Sequence, residues 1–410
     1  MSCTTDLPTV VVPARTLWSP NFRLYFGART TSLLGDAMLP VALSVGVLQA
    51  GYGASGVGYA LGSWLAAVAL CMLVGGVLAD RFTARRMMVL ADLARFVLHA
   101  GMAVLFALGT PSLVTIVVLQ FLSGVASAMF QPGVASMVPQ VADDVQRANG
   151  VLRIAESMAG VLGPAAAGVL VSVAGPSVVF AIYSATYAIS ALCLLALRLE
   201  TTRAAAGASF LTQLTEGWHE FRSRTWLFSV ITIFLLYGFF VVGVSLPIGA
   251  ELIVTNLDSA ALGIGLAAFG AGGAVGGTLA IRIRPARPLA AGSIGWALFA
   301  IYPLVPALSP NLVVLVIGWA IAGSGIAFWA VIWSTTVQTQ VPAELLNRVY
   351  AYDVAGSLVT MALGRSVAGP LASVTGERPL MIFASGLGLV CASLLLIVPA
   401  TRRLQAVRPS

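Results

Sequence analysis

Residues 56–108 read GVGYALGSWLAAVALCMLVGGVLADRFTARRMMVLADLARFVLHAGMAVLFAL. Two apolar runs, 56–79 and 87–108, flank a short polar turn that holds Asp80, Arg81, Arg85 and Arg86. Each run is long enough as a helix to cross ~30 Å of hydrocarbon. Charge gathered between apolar runs is the pattern of two membrane helices joined by an aqueous loop.

The same alternation extends over the whole chain. It places spans near 22–49, 56–79, 87–108, 112–138, 148–174, 177–197, 226–253, 259–281, 288–308, 311–338, 347–374 and 379–399. The 410 residues are 59% hydrophobic and 9% charged. A soluble domain carries about 25% charge, so the solvent read from this composition is lipid. The formal charge of +7 comes entirely from arginine, because the chain contains no lysine. That absence excludes a Walker A loop and a lysine Schiff base. Nucleic acid is not an expected partner, since the arginines are better explained by topology.

Arg15 and Arg23 precede the first span; Arg81, Arg85 and Arg86 follow the second; Arg147 follows the fourth. Arg198, Arg203, Arg222 and Arg224 follow the sixth, Arg282, Arg284 and Arg287 the eighth, Arg348 the tenth, and Arg402, Arg403 and Arg408 close the chain. The opposite loops hold only Arg378. By the positive-inside rule both termini are expected in the cytoplasm of a multi-pass inner-membrane protein, which requires an even number of spans. No signal peptide is read at residues 1–20, which are polar and contain proline. Cys3, Cys71, Cys193 and Cys391 show no paired spacing and are read as packing residues, with no metal site.

The halves resemble each other at a constant offset of 201 residues, which pairs Gly75–Gly76 with Gly276–Gly277, Arg81 with Arg282, Arg147 with Arg348, Gly163 with Gly364 and Gly168 with Gly369. The expected fold is an all-α membrane protein, twelve transmembrane helices in two pseudo-symmetric six-helix bundles with a cavity between them. The expected divisions are an N-terminal tail 1–21, a first bundle 22–197, a linker 198–225, a second bundle 226–399 and a C-terminal tail 400–410. Phe210, Leu214, Trp218 and Phe221 recur at helical spacing in the linker, as in an amphipathic helix on the inner leaflet or a solvated connection.

The loop Gly76-Val-Leu-Ala-Asp80-Arg81-Phe-Thr-Ala-Arg85-Arg86 resembles the signature Gly-x-x-x-Asp-Arg-x-Gly-Arg-Arg of the major facilitator superfamily, with Thr83 where that family usually has glycine. The resemblance implies a gating role for Asp80, Arg81, Arg85 and Arg86, in which the aspartate meets the start of the eleventh helix. Asp92 and Arg95, three apart on one face of the third span, are grouped with them. Asn21 to Arg29, Leu34-Gly-Asp36, the third span, and Phe130-Gln-Pro132 through Arg147-Ala-Asn149 look like the bacterial drug–proton antiporter branch that includes macrolide and siderophore exporters. Gly160-Val-Leu-Gly163-Pro164-Ala-Ala-Ala-Gly168 resembles the antiporter motif of that family, which marks exporters. Its glycines permit close helix approach and its proline a bend.

Asp36 is the leading candidate for proton coupling. It lies about fourteen residues into the first span, ~21 Å from its inner end. A carboxylate at that depth faces a wet cavity, pairs, or is protonated. Arg29 is a candidate partner seven residues earlier, and Glu156, three residues from Arg153, is a second coupling candidate. Phe130, Gln131, Trp329, Trp333 and Arg365 are candidates for the substrate cavity; Arg365 would attract an anionic substrate group or balance Asp36. Asp353 is shallower, at the interface.

The expectation is a monomeric secondary transporter, not an enzyme, that exports a small amphipathic compound. The proton gradient is its energy source, and it has no cofactor. Uptake of a small solute and a non-transporting receptor stay open as alternatives. An intramembrane enzyme is disfavoured, because His99 and His219 are the only histidines and no catalytic constellation surrounds them.

Overall fold

Lipid offers the backbone no hydrogen-bond partner, so a segment that crosses it alone must be a helix. In the computed structural model, described for residues 17–81, 83–142, 144–199, 224–283, 285–308, 311–341 and 343–406, helix dominates and there is no strand among the described residues.

The first spans are α1 (Pro20–Gln49), α2 (Gly53–Arg81), α3 (Ala84–Leu108) and α4 (Leu113–Val141). One continuous run, Val145–Ala196, is divided by Gly175, whose φ of 80° and ψ of 170° break the helix; α5 covers 145–174 and α6 covers 176–196. Pro164 lies inside α5, while the break falls at Gly175. The positive φ at Gly175 is a conformation in which a Cβ would clash.

The second set is α7 (Thr225–Asn256), α8 (Ser259–Arg282), α9 (Pro288–Ala307), α10 (Leu312–Gln340), α11 (Ala343–Thr375) and α12 (Glu377–Ile397). A short helix, α13 (Pro399–Arg402), follows. These are the twelve spans read from the sequence, each bounded within about one helical turn of its expected ends. α7 contains a π-helical stretch, Tyr237–Gly243. The linker segment carrying Phe210 to Phe221 lies outside the described residues.

Polar residues at the turns start the helices. Ser19 accepts from the Phe22 amide at 3.1 Å, Asp144 from Arg147 at 2.9 Å, Asp258 from Ala261 at 2.6 Å and Asn311 from Val314 at 3.0 Å. Each satisfies an amide that the first helical turn leaves unpaired.

Within the first half α1 packs on α5 and α2 on α4; within the second, α10 packs on both α8 and α9. The halves meet through α5 against α8 and α2 against α11. Small residues make both contacts possible. A methyl group added at Gly168 of α5 would fall 2.8 Å from the Gly263 Cα of α8, and one at Gly163 would fall 2.5 Å from the Ala37 Cβ of α1. On the other seam, Gly58 and Gly62 of α2 and Gly369 of α11 sit against Arg365, Ser366 and Ser55 respectively. Among the described residues these contacts lie toward the end of the molecule away from the termini. At that end the Glu251 carboxylate of α7 accepts the Ala54 amide of α2 at 2.6 Å.

Candidate functional site

The helices α1, α3 and α6 bring a polar cluster together in the middle of the first half. Gly35 makes it possible: a Cβ there would fall 2.7 Å from the Tyr183 ring, so its absence lets α6 close on α1 beside Asp36. Tyr183 and Tyr187 are one helical turn apart on α6 and share a face. The Tyr183 hydroxyl donates to Asp36 Oδ1 at 3.1 Å, the Tyr187 hydroxyl donates to the same oxygen, and the two hydroxyls lie 2.7 Å apart.

Arg95 of α3 is the cation of the cluster. Its Nη1 lies 3.9 Å from Asp36 Oδ1, and its Nη2 donates to Asp92 Oδ1. The Ser190 hydroxyl donates to the other Asp92 oxygen at 2.6 Å. The guanidinium is sandwiched by rings, with its carbon 4.5 Å from the centroid of Phe130 and 4.3 Å from that of Tyr187. Each ring presents its negative face to the cation, a further attraction in a dry environment. His99 closes the cluster: its Nδ1 is 2.8 Å from the Arg95 carbonyl, its Nε2 is 3.5 Å from Ser123 Oγ, and its ring lies 4.3 Å from that of Tyr183.

The two acids of the cluster differ in access. The Asp92 side chain is 0% exposed and that of Arg95 3%, whereas that of Asp36 is 36% exposed. Asp92 and Arg95 therefore form a closed pair, and Asp36 is a second carboxylate held at the edge of the same cation.

Of the residues picked out in the sequence, Asp92 and Arg95, grouped there with the loop, belong in space to Asp36. Arg29, two turns from Asp36, instead has its guanidinium carbon 5.6 Å from the Phe130 ring. Asp80 and Arg81 have side chains outside the described residues. Arg85 donates from Nε to the Leu194 carbonyl at 2.8 Å and from Nη2 to that of Leu195, which caps the last turn of α6 with a cation. Arg86 is exposed. Glu156 pairs with Arg153 at 2.9 Å on an exposed face of α5, away from the cluster. In the antiporter-like stretch, Gly163 meets α1 and Gly168 meets α8, while the Gly160 carbonyl faces Gly270 of α8. Phe130 is buried under Arg95, and Gln131 is exposed. Trp329 is 5% exposed, packed on Gly292 and 4.9 Å from the Trp296 ring. Trp333 stacks on Trp329 and donates to Asp353 at 2.8 Å, so Asp353 is tied to α10. Arg365 is half-buried, and its Nε is enclosed without a hydrogen-bond partner. Cys71, Cys193 and Cys391 are free thiols.

Sequence reasoning missed Tyr183, Tyr187, Ser190 and His99. For the three on α6 the one signal is spacing: tyrosines four apart, with a serine three further on.

Residues 25–353 match the family model of the Major Facilitator Superfamily. The chain is a member of that superfamily. It is thus a membrane transporter of small molecules, not an enzyme. It is similar to the enterobactin exporter EntS of Salmonella paratyphi A, 25% identical over 402 residues that cover 95% of each chain. It is similar also to the multidrug efflux pump Tap of Mycobacterium tuberculosis, 26% identical over 403 residues that cover 94% of each. Among solved structures, the peptide transporter POT in complex with sulfate superposes with a TM-score of 0.76 at 14% identity, covering 96% of this superfamily member and 98% of that chain. The nucleoside transporter NupG gives 0.71 at 14%, covering 92% and 99%. At these identities the structural likeness concerns the fold alone.

Proposed function

We propose that this transporter exports a small amphipathic organic compound in exchange for protons, with Asp36 as the coupling carboxylate. The observation that carries the reading is the unequal access of two acids to one cation. Asp92 neutralises Arg95 in a closed pair. Asp36 is left half-exposed, positioned by Tyr183 and Tyr187, and free to gain or lose a proton as the cavity beside it changes sides. Arg95 lies 3.9 Å from Asp36 Oδ1, and the Tyr183 and Tyr187 hydroxyls donate to the same oxygen.

The direction of transport rests on the relatives, which are named as an enterobactin exporter and a multidrug efflux pump, and on the antiporter-like stretch of α5. Alternating access follows from two halves that touch along α5–α8 and α2–α11 and can rock about those seams. The arginine distribution supports a topology with both termini in the cytoplasm of a bacterial inner membrane. In this reading the proton gradient supplies the energy with no cofactor, and the transporter works as a monomer.

The test is transport in proteoliposomes under an imposed pH gradient, with hydrophobic antibiotics and siderophores as substrates. Asp36→Asn is expected to abolish uphill export and to leave the folded yield and downhill exchange intact. Normal pH-driven export by this variant would refute the coupling role of Asp36.

A further inference from the structure

Two arginines lie deep in the helical bundles, and their surroundings differ. Arg95 has Asp92, Asp36 and two aromatic faces. Arg365, on α11, has no carboxylate within ion-pair distance and no hydrogen-bond partner among the described residues. Its Nε is enclosed by protein without a partner, and the residue as a whole is half-buried. Asp36 is not its counter-charge, because Arg95 and the two tyrosines already hold that carboxylate.

An unpaired guanidinium at this depth destabilises the resting protein and is retained where something else requires it. A second observation points to the same place. Gly364, the neighbour of Arg365, packs on the Phe239 carbonyl and the Gly243 Cα, within the π-helical stretch of α7. Such a stretch departs from regular helical bonding and is frequent at functional sites. The cation therefore stands next to the irregular part of α7, at the seam where α11 also meets Gly58 of α2.

We propose that Arg365 binds an anionic group, a carboxylate or sulfonate, on the transported amphiphile, so that the preferred substrate is an organic anion with an aromatic or otherwise apolar body. A planar guanidinium offers a fork that matches either group. The adjoining turn of α7, whose Phe239 carbonyl packs on Gly364, carries the aromatic residues Phe239 and Phe240, a residue type suited to an apolar body. This inference builds on the export reading only for the direction of travel.

The test uses two fluorescent probes with one skeleton, 8-anilinonaphthalene-1-sulfonate and the neutral N-phenyl-1-naphthylamine, together with a panel of arenesulfonates and arenecarboxylates as competitors. Saturable binding to the full-length purified protein is measured without a gradient. Arg365→Gln is expected to weaken anion binding by about ten- to a hundredfold and to leave the neutral probe unchanged. Arg365→Lys is expected to recover part of the loss. Thermal melting of Arg365→Gln should be unchanged or higher, since the variant removes an unpaired charge. Equal loss of both probes, or a lowered melting temperature, would assign Arg365 a structural role and overturn the proposal. So would a panel in which no anion binds wild type more tightly than Arg365→Gln. Because binding is read without flux, its outcome is independent of Asp36→Asn: loss of the coupling reading would leave anion binding in place, and the reverse also holds.

Discussion

Asp36 and Asp92 are chemically the same side chain, and their places in the cluster assign them different work. Asp92 has both oxygens engaged, one by Arg95 and one by Ser190, and is closed to water. Substituting Asp92→Asn leaves Arg95 with a 3.9 Å contact to Asp36 as its remaining ion pair. Breaking a buried pair from one side costs about 3–5 kcal/mol, because the other charge stays buried. Asp92→Asn is therefore expected to lower the melting temperature and the yield of folded protein, and Asp36→Asn is expected to change neither much. Melting curves of the two purified variants check this; a pair of equally stable variants would remove the distinction between a structural and an exchangeable acid. The charges of this cluster were legible in the sequence, since an aspartate or arginine inside an apolar span stands out. Its hydroxyls were not. A tyrosine in a membrane helix serves equally well as packing, and only the approach permitted by Gly35 shows that Tyr183 and Tyr187 turn toward α1.

At the level of helices, hydropathy alone located the twelve spans, because the bilayer demands a fixed apolar length and nothing in the packing has to be known. The division at Gly175 was legible too, since the apolar runs separate between residues 174 and 177, but the π-helical stretch of α7 escaped hydropathy, because that stretch falls in a sequence without a polar mark. Contacts between helices from different halves were equally hidden. Glu251 of α7 seats on the first turn of α2, where it accepts the Ala54 amide. A carboxylate at a helix N-terminus is favoured by the macrodipole and by the unpaired amides there. The contact exists only while this end of the molecule is closed, since α2 and α7 belong to opposite halves. Glu251→Gln retains the hydrogen bond and loses the charge, worth about 0.3–1 kcal/mol, so the closed form should fall about two- to fivefold relative to the open one. The measurement is the labelling rate of a cysteine at Ser55, which abuts Gly369 across the same seam, by a membrane-impermeant maleimide. Faster labelling is expected, and an unchanged rate would show that Glu251 caps α2 without holding the halves.

Over the whole molecule the two halves share a plan and divide the chemistry. The offset of 201 residues that aligns their glycines and loop arginines also aligns Asp36 with Tyr237 and Arg95 with Trp296. In the first half the aligned pair is an ion pair edged by tyrosines. In the second it is an aromatic stack, Tyr237 on Trp296 with centroids 4.2 Å apart and the Tyr237 hydroxyl donating to the Trp296 carbonyl at 3.3 Å. Trp329 and Trp333 extend that stack toward Trp226. The equivalent positions thus carry a titratable network on one side and a rigid apolar wall on the other. If proton exchange is confined to the first half, matched substitutions at the two tyrosine sites should separate. Tyr187→Phe removes a hydroxyl that donates to Asp36 and is expected to change the pH profile of transport. Tyr237→Phe removes a hydroxyl that touches only backbone, and should keep the wild-type pH profile. Trp296→Ala, by contrast, empties the centre of the stack and should cost about 3–5 kcal/mol of stability without moving the pH dependence of the protein that still folds. Initial rates in proteoliposomes across a series of internal pH values read all three variants. A pH profile altered by Tyr237→Phe as strongly as by Tyr187→Phe would mean that the halves share the proton chemistry, and the division of labour drawn from their aligned residues would fail.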